Sequence, residues 1–403
     1  MRAVQHAQHP EILRDTTDFS LVLGGPLFQA LRRAHLSDNE LHLVGQRIGV
    51  IALICWLPLL MLSALEGNLL PGKLAVPFLY DFEAHGRFMV VVPLLIVAEL
   101  IVHQRMRTLV RQFPERKLVP EASMDRFHAA IASAFRLRNS SIAEVVLVAV
   151  VYGLGIALIW RHFIALNANT WYATPSAGGS ALTLAGLWLG CISLPIFQFL
   201  LLRWYFRLFI WMRFLWQVSR IKLALSPTHP DRLGGLGFLS GTAFAFMPLL
   251  LAHGALLAGN LANRILYLGA PLLSFKYEII ALVVVLLGVV LLPLLVFAPQ
   301  LAETKRSGLL EYGALAQRYA RDFETKWLRG GAPAGETLIG SADIQSLSDL
   351  NNSLQVIAGM RVAPITRDTL IRLAAAIVAP LSPLVLTMMP LEELITRLIK
   401  ILF

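Results

Sequence analysis

The chain has 403 residues, of which 57% are hydrophobic and only 15% are charged. This composition excludes a water-soluble fold of that length and favours a protein embedded in a membrane. The formal net charge of +10 is also found in nucleic-acid-binding proteins, but here Lys and Arg cluster beside apolar stretches. We therefore expect anionic lipid headgroups as partners and no nucleic acid. The two cysteines, Cys55 and Cys191, match no metal-binding spacing, so no metal and no cofactor are expected.

Seven apolar stretches are predicted to be transmembrane helices, because most approach the ~20 residues that cross the hydrocarbon layer. They are Ile48 to Leu65, Phe88 to Val102, Ile142 to Trp160, Ala181 to Leu202, Phe238 to Gly259, Ile279 to Ala298 and Ile371 to Met389. Lys and Arg fall almost entirely on alternate sides of these stretches. Since basic residues are retained on the cytoplasmic side, we expect a cytoplasmic N-terminus and a C-terminus outside.

The spans divide the chain into five predicted regions. Two prolines, Pro380 and Pro383, bracket the middle of the last stretch, so both a seventh span and a re-entrant hairpin remain open there. The regions are a cytoplasmic segment with an interfacial helix (1–47), a six-span core (48–298), a cytoplasmic helical segment (299–370), the last span or hairpin (371–389) and an amphipathic interfacial helix (390–403). The predicted fold is all-α, a polytopic transmembrane helix bundle of about seven spans with a small cytoplasmic helical cap and amphipathic terminal helices.

The fifth span carries a polar face at membrane depth. His253, Asn260 and Arg264 fall on one side of the helix, beside a stripe of small residues that suits close packing. An ionisable group at this depth is costly and therefore a candidate for function. The alternative is a neutral His253 bonded to a helix carbonyl, with Asn260 and Arg264 outside the hydrocarbon.

Three further polar residues lie near the cytoplasmic ends of the second and third spans. Glu99 and His103 are one helical turn apart, and Glu144 starts the next span, so an antiparallel hairpin would place all three at similar depth. They could form a proton-accepting or cation-attracting vestibule. Paired charges at a helix end can also be structural.

The loop before the fifth span has the composition of a hinge or a tight turn. Pro230 forbids helix continuation, Asp231 can cap the next helix, and Gly234 and Gly235 allow a bend at low steric cost. Histidine is the side chain suited to a pH-dependent switch, so His229 could bias such a bend. We expect either a hinge that controls the fifth span or a static turn.

The same loop carries a family resemblance. His229-Pro-Asp-x-x-Gly-Gly-Leu, with the later Asp343-Ile-Gln-Ser-Leu and Met360-Arg-x-x-Pro364, resembles a family of multi-pass inner-membrane proteins of bacteria. The resemblance spans most of the chain. It implies a location in the bacterial inner membrane and no activity.

Three functions follow as hypotheses. The first is a channel or transporter for a small solute or ion, the second a non-transporting scaffold that binds partner proteins or lipid, and the third a membrane-embedded enzyme. Short motifs of known membrane enzymes are missing from the sequence, so no catalytic residue is assigned. Polar residues around a cavity at membrane depth would favour transport, and a packed apolar interior would favour the scaffold. The sequence also allows a homo-oligomer.

Overall fold

The computed structural model describes residues 19–34, 43–72, 74–155, 170–176 and 179–388. The structure is 77% helical, and the described residues include one antiparallel hairpin of strands β1 (Ala173–Ser176) and β2 (Gly179–Leu182). The predicted all-α fold is therefore confirmed.

The helices of the described residues are labelled in chain order, and several include short 3₁₀ or π-helical turns. They are α1 (Pro26–Arg33), α2 (Val44–Leu65), α3 (Phe82–Glu115), α4 (Met124–Arg138), α5 (Ser141–Val150, continued by a π turn Val151–Gly155), α6 (Leu184–Ser219), α7 (Gly237–Leu268), α8 (Leu272–Leu328), α9 (Ala342–Ala358) and α10 (Arg367–Met388). Isolated 3₁₀ turns, Phe78–Tyr80 and Glu121–Ser123, precede α3 and α4.

Six of these helices, α2, α3, α6, α7, α8 and α10, are long and apolar enough to cross a membrane. The chain is therefore a multi-pass membrane protein. The predicted third span, Ile142 to Trp160, is described only as far as α5, because residues 156–169 lie outside the described residues. The count of seven spans stays a prediction, and the C-terminal helix expected at 390–403 also lies outside the described residues.

The last span, α10, runs along α7 without reversing its direction. It is α-helical to Val378 and 3₁₀-helical from Ala379 to Met388, because Pro380 and Pro383 cannot donate to the α-helical ladder. Leu381 and Leu384 nevertheless pack at the far end of α7, in one cluster with Leu261 and Phe275. Up to Met388 this is the course of a span.

Two prolines reshape the long helices α3 and α6 in the same way. Pro93 follows the π turn Gly86–Val91, and Pro195 follows the π turn Leu189–Ser193. A proline ring clashes with the carbonyl four residues earlier, and a π turn widens the helix at that point. Both helices are therefore irregular at one level and regular on either side of it.

The bundle has two ends, which we call the N-terminal face and the hairpin face. At the N-terminal face, Arg361 N donates to Arg232 O at 2.8 Å and Ala224 N to Leu118 O at 2.8 Å, joining the loops after α9, α6 and α3. At the hairpin face, Trp171 N donates to Val76 O at 3.1 Å. The loops at each face are thus tied together by backbone hydrogen bonds.

Helix α7 lies at the centre of the bundle. Among the residues of its most apolar stretch, 61% are buried, whereas only 17% are buried in the corresponding stretch of α2. Helix α2 therefore presents most of its surface to the lipid. The core continues toward the N-terminal face, where Phe19 of the segment before α1 lies 5.0 Å from the ring of Phe214 on α6. The described part of the segment before α1, from Phe19 onward, is thus part of the core.

Helix α8 runs out of the bundle at the N-terminal face and pairs with α9 within the predicted helical segment 299–370. Ile357 of α9 packs near Gly308, and Tyr319 Oη donates to Asp343 O at 3.0 Å, so the helices are antiparallel. Several large apolar side chains of this pair are exposed, and Ile339 in the connecting loop is 91% exposed.

Candidate functional site

A buried cluster of charged side chains lies between α2, α3 and α6, with Glu99 at its centre. Its carboxylate accepts a hydrogen bond from Arg207 Nη2 at 2.7 Å, and Arg47 Nη2 lies 2.5 Å from the second oxygen. Arg203 Nη1 is 3.8 Å from Glu99 Oε1. All four side chains are buried. One carboxylate therefore faces three guanidinium groups.

A second carboxylate extends the cluster toward α1. Glu144 of α5 lies 3.6 Å from Arg203 Nη2, so Arg203 bridges the two carboxylates. The other oxygen of Glu144 accepts from Leu27 N at 2.8 Å, in the first turn of α1. Carboxylates stabilise helix N-termini, so Glu144 holds α1 against the bundle.

Helical spacing explains how the sequence builds this cluster. Arg203 and Arg207 are four residues apart on α6 and therefore share a face. Trp204 between them donates its indole N–H to Leu95 O at 2.9 Å, and Arg207 Cζ lies 4.8 Å from its ring centroid. The indole thus fixes α6 against α3 and sets the arginines opposite Glu99.

An apolar cavity of about 420 Å³ opens directly onto this cluster. Charged atoms reach it only from one side, through Arg47, Glu99 and Arg203. The remaining walls are formed by Leu27, Leu31, Ile51, Ile96, Val148, Val151, Tyr152, Pro195, Ile196, Phe199 and Leu200. We call this space the arginine cavity.

Arg47 is the least satisfied member of the cluster. It is 3% exposed, and its Nε has no hydrogen-bond partner among the described residues. Its Nη2 is close enough to Glu99 for an ion pair but lacks hydrogen-bond geometry. Buried polar groups are almost always paired, so Arg47 is an exception that packing alone leaves unexplained.

A second cavity, of about 450 Å³, lies at the hairpin face. Asp81 anchors it by accepting from Trp171 Nε1 and Asn263 Nδ2, each at 2.8 Å. Glu83 pairs with Arg87 and accepts from Asn260 Nδ2 at 3.2 Å. The polar groups on this wall are largely occupied by one another. We call this space the hairpin cavity.

The structure does not bring His253, Asn260 and Arg264 together at one site. Asn260 and Arg264 line the hairpin cavity, and Arg264 also pairs with Glu278 at 2.8 Å. His253 lines neither cavity: its Nδ1 is 2.7 Å from Leu249 O and its Nε2 is 2.6 Å from Tyr205 Oη. Residues seven apart are separated by about 10 Å along a helix, so residues on the same side of α7 can still contribute to different sites.

Glu99, His103 and Glu144 do lie in one region, but with different partners from those expected. Both carboxylates are neutralised by arginines, so the arrangement does not suit attraction of a cation. His103 Nδ1 is 2.9 Å from Ser20 Oγ, in the segment before α1. The three residues hold the N-terminal segment and balance the arginine cluster.

The predicted hinge loop is a turn closed by one side chain. Asp231 accepts from the amides of Leu233 at 2.7 Å, Gly235 at 3.2 Å and Gly237 at 2.8 Å. Gly234 and Gly235 have φ of +62° and +99°, which favour glycine. Burial raises the pKa of Asp231, but these amides and the adjacent His229 outweigh it and hold the pKa below its usual range. His229 Nδ1 is 2.9 Å from Asp231 Oδ1, and Pro230 lies between them in the chain.

Sequence reasoning missed the three arginines. Arg203 and Arg207 stand among aromatic residues, a pattern typical of the lipid interface, whereas both are buried against Glu99. Their four-residue spacing, equal to that of Glu99 and His103, is the signal that could have paired the two helices. Arg47 carries no comparable signal, because its partners come from other helices.

Metal chemistry finds no support in the described part of the chain, where no group of three or more His, Cys, Asp or Glu side chains could hold an ion.

Comparison with protein-family models, with curated proteins and with solved structures found no match for this chain.

Proposed function

We propose that this protein is a carrier of the bacterial inner membrane that binds an anion in the arginine cavity. The observation that carries the proposal is the buried arginine cluster, of which Arg47 and Arg203 line an apolar cavity. Three guanidinium groups face two carboxylates, so the cluster has one positive charge in excess. An anion in the cavity would balance that charge.

The cost of burial supports a functional role for these charges. Each ion taken out of water loses several kcal/mol of solvation, and replacing such groups by apolar residues often leaves stability unchanged or higher. Ionisable residues within membrane spans are accordingly rare and line substrate paths. Packing alone therefore does not account for Arg47, Arg203 and Arg207.

The two cavities suggest how a carrier could work. Between them on α3 lies a packed layer of Phe88, Val91, Val92 and Leu95, all 1% exposed or less. The π turns of α3 and α6 lie at this same level. Irregular helix segments at mid-membrane are a feature of secondary transporters and π turns often mark functional sites. A closed layer between two cavities favours a carrier over an open channel.

The distribution of basic residues supports the orientation. Under the positive-inside rule the N-terminal face is cytoplasmic, with the hairpin face outside. Arg32 and Arg33 end α1, where they would meet anionic headgroups of the inner leaflet.

Charge movement in proteoliposomes tests the proposal. On a solid-supported membrane, jumps in acetate, phosphate or decanoate concentration should produce a transient current with at least one anion. Arg47→Gln should abolish that current. Arg306→Gln is the matched control, since Arg306 is 72% exposed and pairs only with Glu303 on its own helix. Wild-type protein that responds to none of the three anions would contradict the carrier.

A scaffold is the second candidate, and one observation favours it. The α8 and α9 pair exposes large apolar side chains, among them Leu310 at 70% and Leu328 at 74%, which a partner protein could cover. A protein without charge movement that still captured a partner through this pair would be a scaffold.

A further inference from the structure

We infer that the ligand of the arginine cavity is a single-chain amphipathic acid, with its anionic head at Arg47 and its acyl chain along the apolar walls. This inference rests on the proposed function, because it names the class of anion that the same cavity would take. Four features of the cavity carry it.

The first feature is the division of the walls. The polar atoms of Arg47, Glu99 and Arg203 lie on one side, and every other lining side chain except Tyr152 is aliphatic, proline or phenylalanine. A small hydrated anion would leave those walls facing water. An alkyl chain attached to the anion would cover them, and burial of apolar surface is favourable in proportion to its area.

The second feature is the direction in which the cavity opens. It lies between α2 and α5, in front of α3 and α6. Two lining side chains of α5, Val148 and Tyr152, are 43% and 49% exposed, so the cavity is open along α5. Since α5 is an apolar helix of the membrane part, a chain-bearing acid could enter there sideways from the lipid.

The third feature is the cover at the N-terminal face. Leu27 and Leu31 of α1 line the cavity there. Glu144 holds the start of α1 through Leu27 N, and Arg138 Nη1 donates to Ser20 O at 2.7 Å in the segment before it. The charged head would thus be screened from water, which strengthens its interaction with Arg47.

The fourth feature is size. At about 420 Å³ the cavity is near the lower end of the range for small-molecule sites, ~300 to 1,000 Å³. This volume suits one chain of medium length and is small for a phospholipid with two chains. The inference is therefore a free single-chain acid, and an anionic phospholipid is the competing source of the same chemistry.

Binding to protein in nanodiscs tests the inference, with empty nanodiscs subtracted to remove partition into lipid. Tritiated decanoate should bind saturably. Decanol has the chain without the charge, and acetate has the charge without the chain. Each should compete for the site at least about tenfold less well than decanoate itself. Equal competition by acetate would overturn the acyl assignment while leaving an anion carrier intact. Failure of decanoate, acetate and phosphate alike to bind or to move charge would instead remove the proposed function.

Two substitutions locate the chain and the head. Ile196→Trp fills the apolar part of the cavity, leaves the arginine cluster in place and should abolish decanoate binding. The matched control is Leu53→Trp, at a side chain of α2 that is 54% exposed, and this variant should bind decanoate normally. Arg47→Gln should remove the advantage of decanoate over decanol. Decanoate binding that survives Ile196→Trp would overturn the assignment.

The lipid composition of the nanodisc separates the two sources of the anion. If the ligand is a free single-chain acid, decanoate should bind equally in phosphatidylcholine and phosphatidylglycerol nanodiscs. Binding lost only in phosphatidylglycerol would show that a two-chain anionic lipid takes the cavity, and it would overturn the inference.

Discussion

At the scale of single residues, the same ionisable side chain can be structural or functional depending on what its polar atoms meet. His253 is buried with both ring nitrogens close to partners. Arg47 is also buried, but it lines a cavity, and its Nε has no hydrogen-bond partner among the described residues. Burial alone therefore does not identify a site, whereas an incompletely paired charge that lines a cavity marks a candidate.

The contrast predicts that His253→Leu will weaken the fold and spare activity. The change removes the contact with Tyr205 Oη at 2.6 Å, and an unsatisfied buried group costs about 1 to 3 kcal/mol. Thermal unfolding in detergent should shift to lower temperature, while charge movement per folded molecule stays at the wild-type level. Lost charge movement with unchanged stability would instead place His253 on the substrate path.

At the scale of elements, two kinds of irregular backbone differ. The loop between α6 and α7 is held as a turn by many contacts, whereas the π turns of α3 and α6 interrupt otherwise regular helices. Asp231 organises the loop through three backbone amides, and Arg361 N holds Arg232 O at 2.8 Å. The segments that contain His229 and Met360 thus meet in the structure. A hinge at Gly234 and Gly235 remains a prediction, and these contacts favour a static turn.

The loop predicts a pH effect whose sign follows from Asp231. Its folded pKa is lowered, so its contribution to stability is full above the ordinary pKa of an aspartate. The contribution is lost as pH falls through the lower folded value. Asp231→Asn should reduce thermal stability at neutral pH and flatten the acid limb of the stability profile. A hinge would instead alter the pH dependence of charge movement with little loss of stability.

The π turns predict an effect on activity from substitutions that touch no charge. Pro93→Ala and Pro195→Ala let an α-helical ladder form through the layer between the two cavities, because alanine restores the missing N–H. Charge movement should slow while unfolding temperature holds or rises. Pro114→Ala, near the end of α3 and in neither cavity, is the control. Normal charge movement in both variants would exclude the π turns from the transport step.

At the scale of the whole molecule, orientation follows from charge distribution, and it has a direct test. In a Cys191→Ser background, a cysteine at Gly67 in the loop after α2 should react with an impermeant thiol reagent in intact cells. A cysteine at Gly331, beyond α8, should react only after the membrane is opened. The remaining native cysteine, Cys55, is buried. Labelling at Gly331 in intact cells would reverse the proposed orientation.

Sequence by itself determined the class of this protein. Apolar runs near membrane length, and basic residues on alternate sides of them, depend only on local composition, so the all-α bundle could be predicted without any contact. Glu99 and Glu144 could also be singled out from the sequence, because a carboxylate within an apolar run can be recognised without a structure.

Only the tertiary structure decided what those residues do. Glu99 meets Arg47 and Arg207 across 52 and 108 positions in the chain, and no periodicity within one helix specifies which helices become neighbours. Likewise His253 and Asn260 share a helix side, yet only the packing of α6 and α3 sends them to different partners. Helical period acts over a few turns, whereas the arginine cavity arises from the packing of five helices, and this is why it appears only in three dimensions.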